Sequence, residues 1–355
     1  MQSYKENYAN KSEMWMARAL QLARLGAGTV SPNPMVGCVI VHHEKIIGEG
    51  WHRKYGEAHA EVNAVNSVID KSLLTEADVY VTLEPCSHFG KTPPCADLLV
   101  KHAVKRVIIC NVDSNPLVGG KGIAKLQAAG IAVETGILAE QGRALNKRFF
   151  TFIEKQRPYI ILKWAETADG FIAKENFEAV QISNALSRRV VHKMRSEEDA
   201  IMVGTNTARY DNPSLNTRFW TGKSPLRIVI DKDLALDKSL HIFDGSQPTI
   251  CYNLLVNKEE NNVVFVKIAE EKGFLSTIIQ DLAQRKVQSL IVEGGSKLLQ
   301  SFIDANLWDE AIVLQSKKIL EGGIAAPKIK GVASVSEKLG SDNILTLYHQ
   351  QPLSQ

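Results

Sequence analysis

Short apolar runs alternate with helical segments along this chain, and the alternation stops near residue 146 and starts again near residue 159. Strands that alternate with helices predict a layered α/β sheet. Two such series predict two layered domains, and 355 residues are too many for one ordinary core. The stretch NKRFFTFIEKQRP (146–158) reads as a link between an N-terminal domain over 1–149 and a C-terminal domain over 150–355.

In the first series a helix is expected over 11–26, with Leu20, Leu22 and Leu25 inward and Gly26 as its stop. VGCVIVHHEKIIGEGWH (36–52) reads as two strands around a polar turn, where His42 and His43 are expected to be solvated. Helices are expected at 59–69, at 93–104 behind two prolines, and at 123–129. Strands are expected at 78–85, 106–113 and 131–136. The second series predicts strands at 159–167, 199–207, 226–231, 289–295 and 310–317, with helices at 184–196 and 296–305. The last 25 residues carry no chemical signal.

The net charge of +3 is spread without a basic block, so nucleic acid is not implied as a partner. The N-terminus lacks an apolar core of the secretory kind, and no apolar run reaches 18 residues, which argues against secretion and membrane insertion. Five cysteines, an odd number, point to a reducing cytoplasm, where paired cysteines bind metal more often than they form disulfides. Cys38, Cys110 and Cys251 lie in apolar strand-like runs and are expected in the core.

EAHAEVNAV (57–65) places His59 two residues before Glu61 where a helix begins. LEPCSHFGKTPPC (83–95) places Cys86 directly after Pro85 at a strand end, and Cys95 directly after Pro93 and Pro94 at a helix start. A catalytic zinc needs three protein ligands and one open position, and one imidazole with two thiolates meets that count. A helix start also favours thiolate. Glu61 is close enough to sit beside the metal without binding it, where it takes a proton from the attacking water and passes it to a leaving amine. His-x-Glu is half of the signature of zinc nucleobase deaminases, but the other half is P-C-x-x-C, whereas eight residues separate Cys86 and Cys95 here. The competing reading is a chance His-x-Glu beside unrelated thiols.

In the second series VEGGSKLL places glycines between a strand and a helix, where bare backbone N–H groups hold a phosphate, or where glycine serves the turn alone. Arg195, Asp211 and Arg218 fall near another strand-to-loop junction. Two arginines suit a substrate phosphate; each alone reads as a surface residue.

SPNPMVGCVIV, EAHAEVNAV, LEPCSHFGKTPPC and DSNPLVGGKG together resemble the deaminase half of the bifunctional riboflavin-biosynthesis deaminase/reductases, over residues 12–150. The long insert between the cysteines separates the chain from cytidine and tRNA-adenosine deaminases. KWAETADGFIA, RSEEDAIMVGTNTARYDNPSL and VEGGSKLL resemble the reductase half of the same family, over residues 158–325. The resemblance implies a cytidine-deaminase-like three-layer domain followed by a dihydrofolate-reductase-like domain, both α/β, with Zn2+ and NADPH as cofactors. It puts the zinc ligands on His59, Cys86 and Cys95 and the acid/base on Glu61, with Asn33, His52, His88 and Lys91 lining the pyrimidine and phosphate pocket. In the reductase half it implies NADPH contacts at Ala165, Thr207, Asp211, Gly295, Ser296, Lys297, Leu298, Leu299, Gln300 and Ser301. Lys163, Arg195, Asp211, Leu215, Arg218 and Glu293 would face the substrate. The chain departs from the family in three places. Thr167, Ala168, Asp169 and Gly170 stand where Ser-Leu-Asp-Gly is usual, Gln181 where a cofactor-touching tryptophan is usual, and Ala179 where a polar substrate contact is usual.

The implied function is deamination of 2,5-diamino-6-(5-phosphoribosylamino)pyrimidin-4-one, followed by NADPH-dependent reduction of the ribosyl group to ribityl. The implied partner is a small pyrimidine ribotide, and a homo-oligomer stays open. Lys163 is expected to be the main electrostatic group: hydride arriving at C1′ opens the sugar, and a lysine beside the departing ring oxygen stabilises its charge or supplies its proton. One rival is a nucleoside or tRNA deaminase fused to a non-catalytic nucleotide-binding module, which NADPH binding and turnover would separate. The other is a structural zinc protein, which would need a fourth ligand and no Glu61.

Overall fold

A computed structural model describes residues 10–87, 93–115, 118–269, 273–331 and 333–349; His88 and Lys91 lie outside the described residues. The chain divides into two compact units, Met1–Lys155 and Gln156–Gln355.

The first unit runs α1 (Lys11–Arg24), β1 (Gly37–His42), β2 (Lys45–Trp51), α2 (Ala60–Ser67), β3 (Asp78–Leu83), α3 (Cys95–Lys101), β4 (Arg106–Asn111), α4 (Lys121–Ala128), β5 (Ala132–Thr135), α5 (Ala139–Leu145) and α6 (Lys147–Lys155). Its sheet has the order β2-β1-β3-β4-β5. β1 is antiparallel to β2 and β3, while β3, β4 and β5 are parallel. Side chains alternate across a strand, and here both faces are buried. Cys38, Ile40, Val79, Val81, Val107 and Ile109 pack with Ala60 and Ala64 of α2, Leu99 of α3 and Leu126 of α4. Val39, Val41, Tyr80, Ile108 and Cys110 pack with Met16, Ala19 and Leu22 of α1. This is a three-layer α/β sandwich. Gly37 brings α1 tight onto the sheet, since a Cβ there would lie 2.0 Å from the Ala19 carbonyl oxygen.

The second unit runs β6 (Tyr159–Glu166), β7 (Phe171–Ala173), α7 (Ala185–Glu197), β8 (Ala200–Gly204), α8 (Thr205–Asp211), β9 (Leu226–Ile230), β10 (Thr249–Asn253), β11 (Lys258–Glu260), β12 (Val263–Lys267), α9 (Phe274–Gln284), β13 (Ser289–Glu293), α10 (Ser296–Asp304), β14 (Glu310–Gln315), β15 (Ile324–Ala325), β16 (Ala333–Leu339) and β17 (Asp342–Tyr348). Its main sheet has the order β11-β12-β10-β9-β8-β13-β6-β14-β17-β16. It is parallel from β12 through β14 and antiparallel at both edges. Ile160, Leu162, Trp164, Leu290 and Val292 pack on one face with Leu282 of α9 and Leu299 and Phe302 of α10. Ile201, Val203, Val229 and Ile291 pack on the other with Ala208 of α8 and Met194 of α7. Strands covered on both faces read as the near-continuous apolar runs seen in the sequence.

Four expectations are corrected. The link expected at 146–158 is mostly helix α6, with α5 just before it, and the expected change of domain at 149/150 falls inside α6. Phe149 and Phe150 of α6 are buried with Leu83, so the aromatic residues that broke the strand–helix alternation are core. Leu25, expected inward, is 59% exposed because α1 ends at Arg24; Met16, Ala19, Leu22 and Ala23 form the inner face instead. The strand expected at 199–207 stops at Gly204, and Thr205–Asp211 is helical. The C-terminal stretch, silent about chemistry, holds the β16–β17 pair.

Candidate functional site

The first site lies at the ends of β3 and β4 and the starts of α2 and α3. His59 is the extended residue that precedes α2. Its Nδ1 lies 3.6 Å from Cys86 Sγ and 3.3 Å from Cys95 Sγ. Cys86 follows β3 by three residues, and Cys95 opens α3 and donates its backbone N–H to Cys86 Sγ at 3.3 Å. All three ligand atoms lie within 4.8 Å of one another. Tetrahedral zinc with ordinary bond lengths spaces a sulfur and a nitrogen about 3.6 Å apart, so this donor set fits the ion. A second grouping, His42, His43 and Glu76, also converges, but its His43 and Glu76 are exposed and it stands at the opposite end of β1 from the cavity.

Glu61 sits in the first turn of α2, 3% exposed, beside the triad and outside it. Burial, reinforced by the negative charge of Cys86, pushes its carboxyl up to about 7. Hydrogen bonds from Cys95 and His59 hold the Cys86 thiol well below its usual value. His52 is buried against His59, with ring centroids 5.4 Å apart. Its Nδ1 faces the Ala58 carbonyl at 3.1 Å and its Nε2 faces Asn33 Nδ2 at 3.2 Å. A carbonyl only accepts, so Nδ1 carries the proton and Nε2 accepts from the Asn33 amide. Desolvation lowers the His52 pKa, in keeping with that neutral form. This fixes the Asn33 amide.

These groups line a cavity of about 440 Å³. Its apolar wall comes from Pro34, Val36, Leu83 and Phe149, and its polar wall includes Asn33, His52, His59, Glu61, Glu84, Cys86, Asp113 and Asn115. One apolar side with a few polar groups converging on it suits a flat polar heterocycle. Sequence reasoning found Asn33, His52, His59, Glu61 and Cys86. It missed Glu84, Asp113 and Asn115, although a carboxyl directly before the Pro-Cys pair, at the end of an apolar strand, was a visible signal.

The second site is built on the sheet of the second unit. Lys163 on β6 and Glu293 on β13 are register partners in a parallel pair. Both continue the face turned toward α7, which delivers Arg195. Arg195 donates Nη2 to Glu293 Oε2 at 2.7 Å and Nε to Oε1 at 3.3 Å, and Lys163 Nζ lies 3.8 Å from Glu293 Oε2. Burial alone would raise the Glu293 carboxyl, but the charges of Arg195 and Lys163 outweigh it and hold it down to about 2. Burial lowers the Lys163 ammonium, opposed by Glu293. Lys163 does not reach out to bulk solvent from a strand end; it is 14% exposed inside this cluster.

Arg195 also donates to the Asn216 carbonyl, and Arg218 donates to Asn216 Oδ1 at 2.9 Å, so Asn216 joins the two arginines. The backbone N–H of Arg218 donates to His192 Nδ1 at 3.1 Å. Neither Asn216 nor His192 was singled out from sequence. Thr207 on α8 accepts the Gly295 N–H at 2.8 Å, and Gly294, at φ 150°, takes a conformation that suits glycine. Thus Thr207, Gly295, Ser296 and Lys297 meet at the start of α10. Further along the same helix Leu298 is half-buried and Leu299 points into the core. Gln300 binds Asp304, and Ser301 binds the Lys297 carbonyl. Leu215 is buried in the core at φ 52°, so only its backbone is open to a ligand. Asp211 is exposed at the end of α8, and Ala165 follows Lys163 on the same side of β6. Ala179 and Gln181 lie on the exposed stretch before α7, where Gln181 accepts from Lys318 and donates to the Ser183 carbonyl.

Fold and sites together define a two-unit enzyme: a deaminase unit with a His-Cys-Cys donor cluster, then a reductase unit with a buried Lys-Arg-Glu cluster beside a glycine turn. Residues 9–111 match the cytidine and deoxycytidylate deaminase zinc-binding region, and residues 158–347 match the RibD C-terminal domain. The chain belongs to the RibD family, the bifunctional deaminase/reductases of riboflavin biosynthesis. It is 40% identical to the riboflavin biosynthesis protein RibD of Aquifex aeolicus, over 92% of each chain. It is 37% identical to that of Escherichia coli, over 87% of this chain and 89% of the relative. Among solved structures it is similar to the diaminohydroxyphosphoribosylaminopyrimidine deaminase/5-amino-6-(5-phosphoribosylamino)uracil reductase of Thermotoga maritima, with a TM-score of 0.87 and 34% identity over 95% of this chain and 98% of that one. It also resembles RibD of Acinetobacter baumannii, with a TM-score of 0.87 and 32% identity over 96% of this chain and 99% of that one.

Proposed function

We propose that the first unit deaminates 2,5-diamino-6-(5-phosphoribosylamino)pyrimidin-4-one and the second reduces 5-amino-6-(5-phosphoribosylamino)uracil to its ribitylamino product, using Zn2+ and NADPH. The observation that carries this reading is the convergence of His59 Nδ1, Cys86 Sγ and Cys95 Sγ beside a buried Glu61 in a cavity. His59, Cys86 and Cys95 hold the zinc, which when bound supplies a Lewis acid able to activate water near neutral pH. Glu61 takes the proton of the attacking water and returns it to the departing amine. Asn33, its amide fixed by His52, orients the pyrimidine, and His88 and Lys91 are assigned to the same pocket from the family pattern alone.

In the second unit NADPH supplies the hydride. The start of α10, with Thr207, Gly295, Ser296 and Lys297, offers backbone N–H groups to its phosphates, and Ala165 gives it a flat, small neighbour. Lys163 stands by the sugar ring oxygen as charge develops there. Glu293, itself fixed by Arg195, holds that lysine in place, while Arg195 and Arg218, joined through Asn216, take the substrate phosphate. Asp211 and the backbone of Leu215 are assigned to the same substrate from the family pattern alone. Leu298, Leu299, Gln300 and Ser301 support the helix rather than the ligand, and Ala179 and Gln181 contribute little side-chain recognition.

Small-molecule ribotides, not nucleic acid, are the partners that this chemistry fits. Five free thiols suit a reducing, cytoplasmic setting, and among the described residues no helix is long and apolar enough to cross a membrane. Incubation with the diaminopyrimidine ribotide tests the whole reading. Ammonia release without NADPH, and a ribitylamino product only with it, is the expected result; no ammonia release by the zinc-loaded chain refutes it.

A further inference from the structure

Glu84 lies two residues before Cys86 and is 5% exposed. Among the described residues, no hydrogen bond of its carboxyl goes to His59, Cys86 or Cys95. Its Oε2 accepts the backbone N–H groups of Asp113 and Gly120, at 3.3 and 2.9 Å, and its Oε1 accepts those of Gly122 and Ile123, at 2.9 and 3.3 Å. Both oxygens are therefore used twice. Gly122 and Ile123 stand in the first turn of α4, whose N-cap Gly120 has no side chain to satisfy them. A helix leaves its first N–H groups without partners inside itself, and here a carboxyl from another strand end supplies the cap. The approach is close: a Cβ on Gly122 would lie 2.1 Å from the Pro85 carbonyl oxygen. The backbone N–H of Glu84 in turn donates to the Asn111 carbonyl at the end of β4. The segment tied down in this way begins at Asp113 and includes Asn115 and Val118, all three of which line the deaminase cavity.

We propose that Glu84 is a positioning residue for the deaminase. It clamps Asp113 at one end and Gly120 to Ile123 at the other, so that Asp113 and Asn115 meet the substrate in the cavity that Glu61 also lines. The reasoning rests on the deaminase reading above. The imidazole of His59 and the acid Glu61 are carried by α2 and its preceding residue, and the hydrogen bonds of the Glu84 carboxyl go to other residues. Loosening the clamp should therefore weaken substrate binding more than the chemical step.

Glu84→Gln tests this. A glutamine keeps the shape and one acceptor oxygen but turns an N–H2 group toward two backbone N–H donors, so two of the four bonds are lost. Glu84→Asp keeps both acceptors on a shorter stem and should recover part of the loss. The expected result for Glu84→Gln is a rise of about tenfold to a hundredfold in the deaminase KM, the scale of two lost bonds to a buried carboxyl, with kcat within about threefold. Zinc content and reduction of separately supplied deaminated intermediate should stay at the wild-type level, which makes the second activity an internal control on the same chain. A KM within about threefold of wild type in both variants, or a loss confined to kcat, overturns the proposal. Loss of zinc or of a folded first unit in both variants overturns it too, because Glu84 would then serve the scaffold. Absence of deamination in the wild-type chain would instead sink the deaminase reading itself.

Discussion

Glu61 is buried beside three metal donors without being one of them, and that placement separates binding from chemistry. Glu61→Gln should retain about one zinc per chain, as one three-ligand site requires, while deamination falls by several orders of magnitude. Metal analysis beside an ammonia-release assay checks both halves, and near-normal turnover would remove Glu61 from the proton path. Lys163 makes a parallel case in the second unit. Its alanine variant should lose roughly a hundredfold or more in reduction, the usual cost of one donor aimed at a developing oxyanion, with deamination and NADPH affinity nearly unchanged. Steady-state reduction of the intermediate decides it; a loss under about threefold would shift the role to Glu293. At this scale the sequence was most legible where chemistry needs one residue type at a short spacing, as in His59-x-Glu61. It was least legible where the partner is backbone. Glu84 answers four N–H groups from residues 29 to 39 positions away; its place before Pro85 and Cys86 marked the residue, but nothing local named those partners. The departures at Ala179 and Gln181 were visible as letters, but their exposed setting was not.

Elements came through the sequence unevenly for physical reasons. Strands buried on both faces, such as β3, β4, β6 and β13, are short apolar runs between turns and stand out at once. Helix α6 did not, because its aromatic residues and flanking charges give it the look of a connector until Phe149 and Phe150 find Leu83. The inner face of α1 was drawn one turn too far, to Leu25, since leucine spacing alone does not show where a helix leaves the sheet. The alanine-lined face that does pack allows α1 to approach β1 so closely that Gly37 has no room for a side chain. Gly37→Ala should therefore cost the first unit about 1–3 kcal/mol. Denaturant unfolding followed separately by deaminase and reductase activity would show it as an earlier loss of deamination alone. Equal midpoints for mutant and wild type would mean that α1 shifts freely.

For the molecule as a whole, two series of strands in the sequence became two open sheets with cores of their own. A fragment covering 156–355 should fold alone and bind NADPH without zinc, as expected of a unit with its own core. Titration of the fragment with the cofactor checks this, and a fragment that binds only when the first unit is added would refute it. The self-contained cores carry a consequence for heredity. A chain dead at Glu61 still carries an intact second unit, and a chain dead at Lys163 still carries an intact first one. The product that passes between them is a small soluble nucleotide. On the roles proposed for Glu61 and Lys163, two such alleles in one cell should complement each other, and a mutational survey of this gene should sort its recessive lesions into two groups that divide between residues 155 and 156.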